Sequence, residues 1–126
     1  MKKVFRSGLE SALYDQLNKE FKYEPYKLPY IIRKNYLPDF VHEEKKILVE
    51  AKGYFRAGDT QKYTSIRDTI GDWELVFVLS DPNKKVRKGS KTTMGQWCDK
   101  EDFAHFTVKT SNELLKYIRN KNVTNT

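Results

Sequence analysis

The chain has 126 residues with 24 Lys and Arg against 17 Asp and Glu, a formal net charge of +7 that suits one domain over residues 1–126 and a polyanionic partner. Its one cysteine, Cys98, excludes an internal disulfide and any multi-cysteine zinc site, and fits a reducing, cytoplasmic setting. No window approaches about 18 apolar residues and the basic start meets Arg6 and Ser7 before an apolar stretch forms, so neither a membrane span nor an export signal is expected.

In chain order, Ser7 to Glu10 spells Ser-x-x-Glu, a capping box, and Leu9, Ala12, Leu13 and Leu17 recur at helical spacing, which predicts a helix over about 8–19. "YKLPYII", aromatic and β-branched around Pro29, reads as a strand with a free edge or bulge. "RKNYLP", Arg33 to Pro38, resembles a hinge. Asp39–His42 and Lys46–Lys52 then form a hairpin around the charged turn "EEKK". Asp59 is positioned to cap a helix over 60–70 that Gly71 ends, and "ELVFVLS" is a strand buried on both faces. Past the basic loop "DPNKKVRKGSK", Thr93 and Gln96 form a capping box ahead of a short helix. "FAHFTV" is a short strand, and Thr110 and Glu113 open a last helix with Leu114, Leu115, Tyr117 and Ile118 inward and Lys116, Arg119 and Lys121 in water. Trp73 and Trp97 belong to the core, as do Tyr54 and Phe55 unless these stack on unpaired bases, while His42 and His105 are surface or sheet residues. The order is that of an α/β fold, a mixed sheet flanked by helices.

The chemistry concentrates in "PDFVHEEKKILVEAKG". Residues two apart on a strand share a face about 6.8 Å apart, so Leu48, Glu50 and Lys52 form one row and Ile47, Val49 and Ala51 the other. With the second row on the core, the charged row reaches the sheet end where Asp39 emerges. Two carboxylates at about 4 Å repel by roughly 4 kcal/mol at an effective dielectric of 20, which a divalent cation relieves. Asp39 and Glu50, with the Ala51 strand carbonyl, are hard oxygen donors suited to Mg²⁺, with Mn²⁺ as substitute, and Lys52 stands beside a water so activated. The competing description is a surface hairpin with an exposed Glu50–Lys52 ion pair.

"PDF" and "VEAKG" resemble the PD-(D/E)xK nuclease signature. "FRSGLE" (Phe5–Glu10), "LPYII" (Leu28–Ile32), "IRD" (Ile66–Asp68), "KGS" (Lys88–Ser90) and "GQWCDK" (Gly95–Lys100), in that order, resemble the phage endonuclease I family of Holliday-junction resolvases over roughly 5–106. The resemblance implies a restriction-endonuclease-like core in an intertwined, domain-swapped homodimer that cuts branched DNA. It implies catalytic roles for Glu10, Asp39, Glu50 and Lys52 and adds Glu10, also the third helix residue of a capping box, to the metal carboxylates. Lys22 stands where the family pattern has an acid, with Glu24 the nearest replacement, and the Arg33–Pro38 bridge is shorter than the family's. Arg6, Lys62, Arg67, Lys84, Lys85, Arg87, Lys88 and Lys91 are candidate phosphate contacts. No nucleotide cofactor is expected. The competing functions are a mismatch or restriction-type nuclease on the same core, or a non-catalytic DNA-binding module.

Overall fold

The computed structural model describes residues 4–123. The chain divides into two compact units, Met1–Lys34 and Asn35–Thr126. In the first, helix α1 (Gly8–Leu17) begins where extended Ser7 accepts the Glu10 N–H on its hydroxyl at 3.2 Å. The reciprocal half of the expected box is missing, because the Glu10 carboxylate turns to Arg6 and Tyr23. Phe5, Tyr14 and Tyr23 cluster with ring centroids 5.0–5.9 Å apart. No residue of α1 is buried, and the expected inward side chains Leu9, Leu13 and Leu17 are exposed.

The second unit holds a four-stranded sheet in the order β1 (Phe40–His42), β2 (Ile47–Lys52), β3 (Glu74–Leu79) and β4 (His105–Phe106). β1 and β2 are the antiparallel hairpin, while β2–β3 and β3–β4 are parallel. A parallel pair needs a crossover. Helix α2 (Asp59–Thr69) supplies the first and α3 (Met94–Lys100) the second, and α4 (Ser111–Asn120) follows β4. α2 and α3 pack Tyr63, Ile66, Ile70, Met94, Trp97 and Cys98 against Leu48, Leu75, Phe77 and Leu79. On the opposite face, Leu114 and Ile118 of α4 cover Ile47, Val49 and Val76. Cover on both faces explains why Ile47, Leu48 and Val49 are consecutively buried. No helix among the described residues is long and apolar enough to cross a membrane.

Several local expectations change. "YKLPYII" forms no strand: a strand needs a neighbour for its backbone groups, and every ladder among the described residues joins β1 to β4. Its Leu28, Tyr30 and Ile31 stand 76–88% exposed. α2 starts one residue early, on Gly58 at φ +87°, with Asp59 inside the helix rather than capping it. The Thr93–Gln96 capping box is present. The Thr110–Glu113 box is not, since the Thr110 hydroxyl is engaged with Thr107 across the 3-10 turn Val108–Thr110. Leu115 and Tyr117 are exposed rather than inward, Tyr117 resting on Phe106 and donating to Glu74. Lys121, expected in water, is tucked in, with Nζ 3.1 Å from the Lys46 carbonyl and 3.6 Å from Glu74.

Candidate active site

The hairpin register pairs Phe40 with Val49, so one step beyond the ladder Asp39 comes opposite Glu50. Opposed residues of an antiparallel pair project to one face. The Asp39 Oδ2 also accepts the Ala51 N–H at 2.9 Å, which ties the mouth of the hairpin shut. The two carboxyl groups are near enough to shift each other's titration in opposite directions. Burial first, and then Asp39, push the Glu50 carboxyl above its usual range, while the Glu50 hydrogen bond and the Ala51 N–H hold Asp39 below its own.

The row carrying Glu50 is not the solvent row that alternation suggested. It lies on the face covered by α2 and α3, and Glu50 is only 5% exposed, whereas Ala51 of the other row is open. A carboxylate so placed needs donors. Two phenols provide them: Tyr63 of α2 at 3.0 Å and Tyr36 at 3.2 Å, both on Oε1. Burial foremost, and then the Glu50 charge, raise both phenols well above their ordinary pKa, so they stay protonated donors. Their rings meet edge to face at 6.2 Å, which fixes the pair from two separate segments.

Lys52 lies on the same face. Its Nζ is 3.6 Å from Asp59 Oδ2 and 5.2 Å from the Tyr63 ring centre. Asp59 is itself buried and accepts the Arg56 N–H at 2.9 Å, so the ammonium is held by a carboxylate fixed at the start of α2. The exposed Glu50–Lys52 ion pair of the alternative reading is thus not what forms: Glu50 bonds tyrosines and Lys52 pairs with Asp59.

Tyr36 and Tyr63 escaped the sequence reading, and Asp59 entered it only as a helix cap, not as the partner of Lys52. Asp59 and Tyr63 are four apart at the start of α2 and so share the face turned to β2, a spacing that signals it. Tyr36 carries no comparable signal beyond standing three residues before Asp39.

Glu10 belongs to the other unit, Met1–Lys34. There it accepts the Tyr23 hydroxyl at 2.5 Å and Arg6 Nη2 at 3.3 Å, and Arg6 reaches Glu24 at 2.5 Å. The Tyr23 hydrogen bond, then Arg6, hold the Glu10 carboxyl below its usual range, and Tyr23 is pushed up to about 12. Glu24 thus neighbours Glu10 through Arg6, while Lys22 and Glu10 line one hollow of about 280 Å³ with Leu13, Leu17 and Phe21.

The basic candidates differ in their commitments. Arg67 donates to the Glu101 carbonyl at 2.7 Å, to its carboxylate at 3.2 Å and to Asp68 at 3.1 Å, leaving it little capacity for a phosphate. Lys62 is exposed, with Nζ over the rings of Tyr36 and Tyr63 at 5.8 and 5.3 Å, beside the carboxylate pair. Lys84, Lys85, Arg87, Lys88 and Lys91 all lie exposed on the loop after β3, where Val86 anchors it in the core and Lys85 Nζ reaches the Lys91 carbonyl at 3.0 Å. Tyr54, assigned to the core, is 53% exposed; Phe55 is buried.

The donor set fits a hard divalent cation. No group of three or more His, Cys, Asp and Glu side chains among the described residues is placed to hold a metal. Two adjacent carboxylates, of which Asp39 raises the cost of charging Glu50, are nonetheless an oxygen site whose repulsion a cation relieves. With Glu50 Oε1 occupied by phenols, one Glu50 oxygen and Asp39 remain. So sparse a set suits Mg²⁺, which retains waters and takes further ligands from phosphate.

The phage endonuclease I family model matches residues 1–123. Endodeoxyribonuclease 1 of Enterobacteria phage T3 is 36% identical over 104 residues, covering 78% of this chain and 68% of that protein. Endonuclease I of Escherichia phage T7 is 37% identical over 103 residues, 77% of this chain and 68% of its own. A matching model along nearly the whole chain and relatives at this identity make the protein a member of the phage endonuclease I family.

Proposed function

We propose that the protein is a metal-dependent DNA endonuclease that resolves four-way junctions and other branched DNA, as a homodimer carrying two restriction-endonuclease-like cores. The observation carrying this reading is the Asp39–Glu50 pair, two carboxylates brought opposite each other at the mouth of the β1–β2 hairpin, with Lys52 fixed on the same face. A protein that only binds DNA gains nothing from carboxylates turned toward phosphate. The names of both relatives, an endodeoxyribonuclease and an endonuclease, support hydrolysis of DNA.

Asp39, Glu50 and the Ala51 carbonyl would hold Mg²⁺ or Mn²⁺, which when bound supplies an acidified water and neutralises charge on the scissile phosphate. The chain's own groups do the rest. Tyr36 and Tyr63 hold the buried Glu50 carboxylate in one orientation, so its second oxygen faces Asp39. Lys52, oriented by Asp59, offers an ammonium to the non-bridging oxygens as negative charge accumulates. Glu10 of a second copy would add a further carboxylate, and Lys62 with the loop 84–91 grips flanking phosphates. The exposed apolar residues of Tyr26–Ile32 and the hollow beside Glu10 support a second copy as the partner that covers them.

The direct experiment incubates the protein with Mg²⁺ and either a four-way junction or a linear duplex of the same sequence, alongside Asp39→Asn. The junction is expected to be cut by two opposed nicks, the duplex at least tenfold more slowly, and neither in EDTA. Asp39→Asn is expected to lose 10³-fold or more in rate, on the order of removing a principal transition-state stabiliser. Equal cutting of junction by the variant, or no cutting by the wild type, defeats the proposal.

A further inference from the structure

We propose that Tyr54 is a stacking platform for a base face laid open at the branch point of the DNA, and that it supplies part of the selectivity for branched over linear substrate. This rests on the endonuclease reading for its ligand, though not for its geometry. β2 and β3 are parallel, with Lys52 in register with Leu79, so the segments that leave them emerge at the same edge of the sheet. Ser80 Oγ donates to the Gly53 carbonyl at 3.2 Å and binds the two exits together. The carboxyl ends of parallel strands are where open α/β sheets place their ligands.

At that edge lies an open groove of about 480 Å³, lined by Tyr54, Phe55, Lys84, Val86, Arg87 and Lys88 among others. Every charged residue lining it is cationic, so an anionic occupant is the one its charge matches. Tyr54 presents its ring there, more than half exposed, although its neighbour Phe55 is buried among Tyr63, Phe77 and Trp97. Lys84 Nζ lies 5.4 Å and the Arg56 guanidinium 6.0 Å from the ring centre. Both cations lie over the ring, so a base that stacks there takes their place and draws them onto its phosphates, the combination of aromatic face and cation that binds unstacked nucleotides.

Tyr54 is two residues from Lys52, so a nucleotide on the ring sits close to the scissile phosphate along the same strand. In the interior of a linear duplex every base face is covered by its neighbour. Where the arms of a junction unstack at the branch point, the last pair of an arm loses one neighbour and offers the ring a surface to stack on.

The test uses the full chain with Asp39→Asn, so that binding is measured without cutting, on a four-way junction and a linear duplex of equal length. Each carries 2-aminopurine, at the branch or at the centre. Tyr54→Ala is expected to weaken junction binding about tenfold, within the range for loss of one stacked base, and duplex binding by less than twofold. Tyr54→Phe is expected to bind as the parent does, and the fluorescence change of branch-point 2-aminopurine on binding should disappear with Tyr54→Ala alone. Equal weakening on junction and duplex, or no weakening on either, overturns the proposal. Because the readout is binding by an inactive variant, it stands apart from the endonuclease reading: a wild type that fails to cut defeats that reading and leaves the stacking result interpretable.

Discussion

Glu50 shows the cost of assembling this site before a cation or substrate arrives. Its carboxyl is raised by burial and by Asp39, so it ionises more readily in the unfolded chain than in the folded one. Stability from this group is therefore fully present below its unfolded pKa and lost as pH rises toward the folded value. Asp39 has the opposite sign: its folded pKa is lowered, so its contribution exists above the unfolded value and is lost in acid. Glu50→Gln keeps an acceptor for the two phenols and sets a neutral amide beside Asp39 in place of a carboxyl group that resists ionising. The variant is expected to be more stable than wild type by about 1–2 kcal/mol in EDTA at pH 7, as commonly follows when a functional group under electrostatic strain is removed. The gain should vanish as pH falls below the ordinary glutamate range, where wild-type Glu50 is protonated; the Asp39 contribution is common to both proteins and cancels. Urea denaturation at pH 7 and in mild acid measures this, and a variant less stable at pH 7 contradicts it. Added Mg²⁺ should then stabilise the wild type and not the variant, since only the wild type has a second carboxyl group that can ionise to meet the cation.

At the scale of elements, what could be read from sequence was what neighbours along the chain determine. The Ser7 cap, the Thr93–Gln96 box, the hairpin and the apolar runs of β2 and β3 each formed because the residues that specify them lie within a few positions of one another. "YKLPYII" has comparable β propensity but pairs with no strand among the described residues, and propensity alone does not satisfy a backbone. The alternation in β2 located the charged row but not its burial, because cover by α2 and α3 is a tertiary fact. Asp39, Glu50 and Lys52 were legible as a group, whereas their supports Tyr36, Tyr63 and Asp59 come from segments that sequence spacing does not connect. The turn into α2 depends on a left-handed Gly58, at φ +87°, which lets Asp59 bond Arg56 and meet Lys52. Gly58→Ala has open space for its methyl but the wrong dihedral, so it should cost about 1–2 kcal/mol. A lowered guanidinium midpoint at unchanged slope is the expected result, and an unaltered midpoint would refute the role given to the turn.

The whole molecule poses a question that a single chain leaves open. Tyr26, Leu28, Tyr30, Ile31, Ile32 and Leu37 are 63–91% exposed within one short stretch, and α1 buries none of its residues. Isolated apolar residues on a surface need no explanation, but a contiguous run of this size marks an interaction surface. A stretch of strand-forming residues with unpaired backbone is also the segment best able to join the sheet of another chain. The +7 charge opposes self-association only weakly once salt screens it, whereas the apolar surface keeps its driving force. We infer that two copies bury these segments against each other, which also supplies the second cut that junction resolution requires. Sedimentation at micromolar concentration is expected to give a dimer in moderate salt. Ile31→Asp, which puts a charge where burial is needed, should shift the protein toward monomer while leaving Mg²⁺-dependent stabilisation of the Asp39–Glu50 site in place. Its nuclease signature is separate from that of a site mutant: single nicks in a junction should replace paired ones, because each monomer retains one set of Asp39, Glu50 and Lys52. A wild type that sediments as a monomer removes the paired-cut mechanism, and an Ile31→Asp dimer that still makes paired cuts removes this segment from the interface.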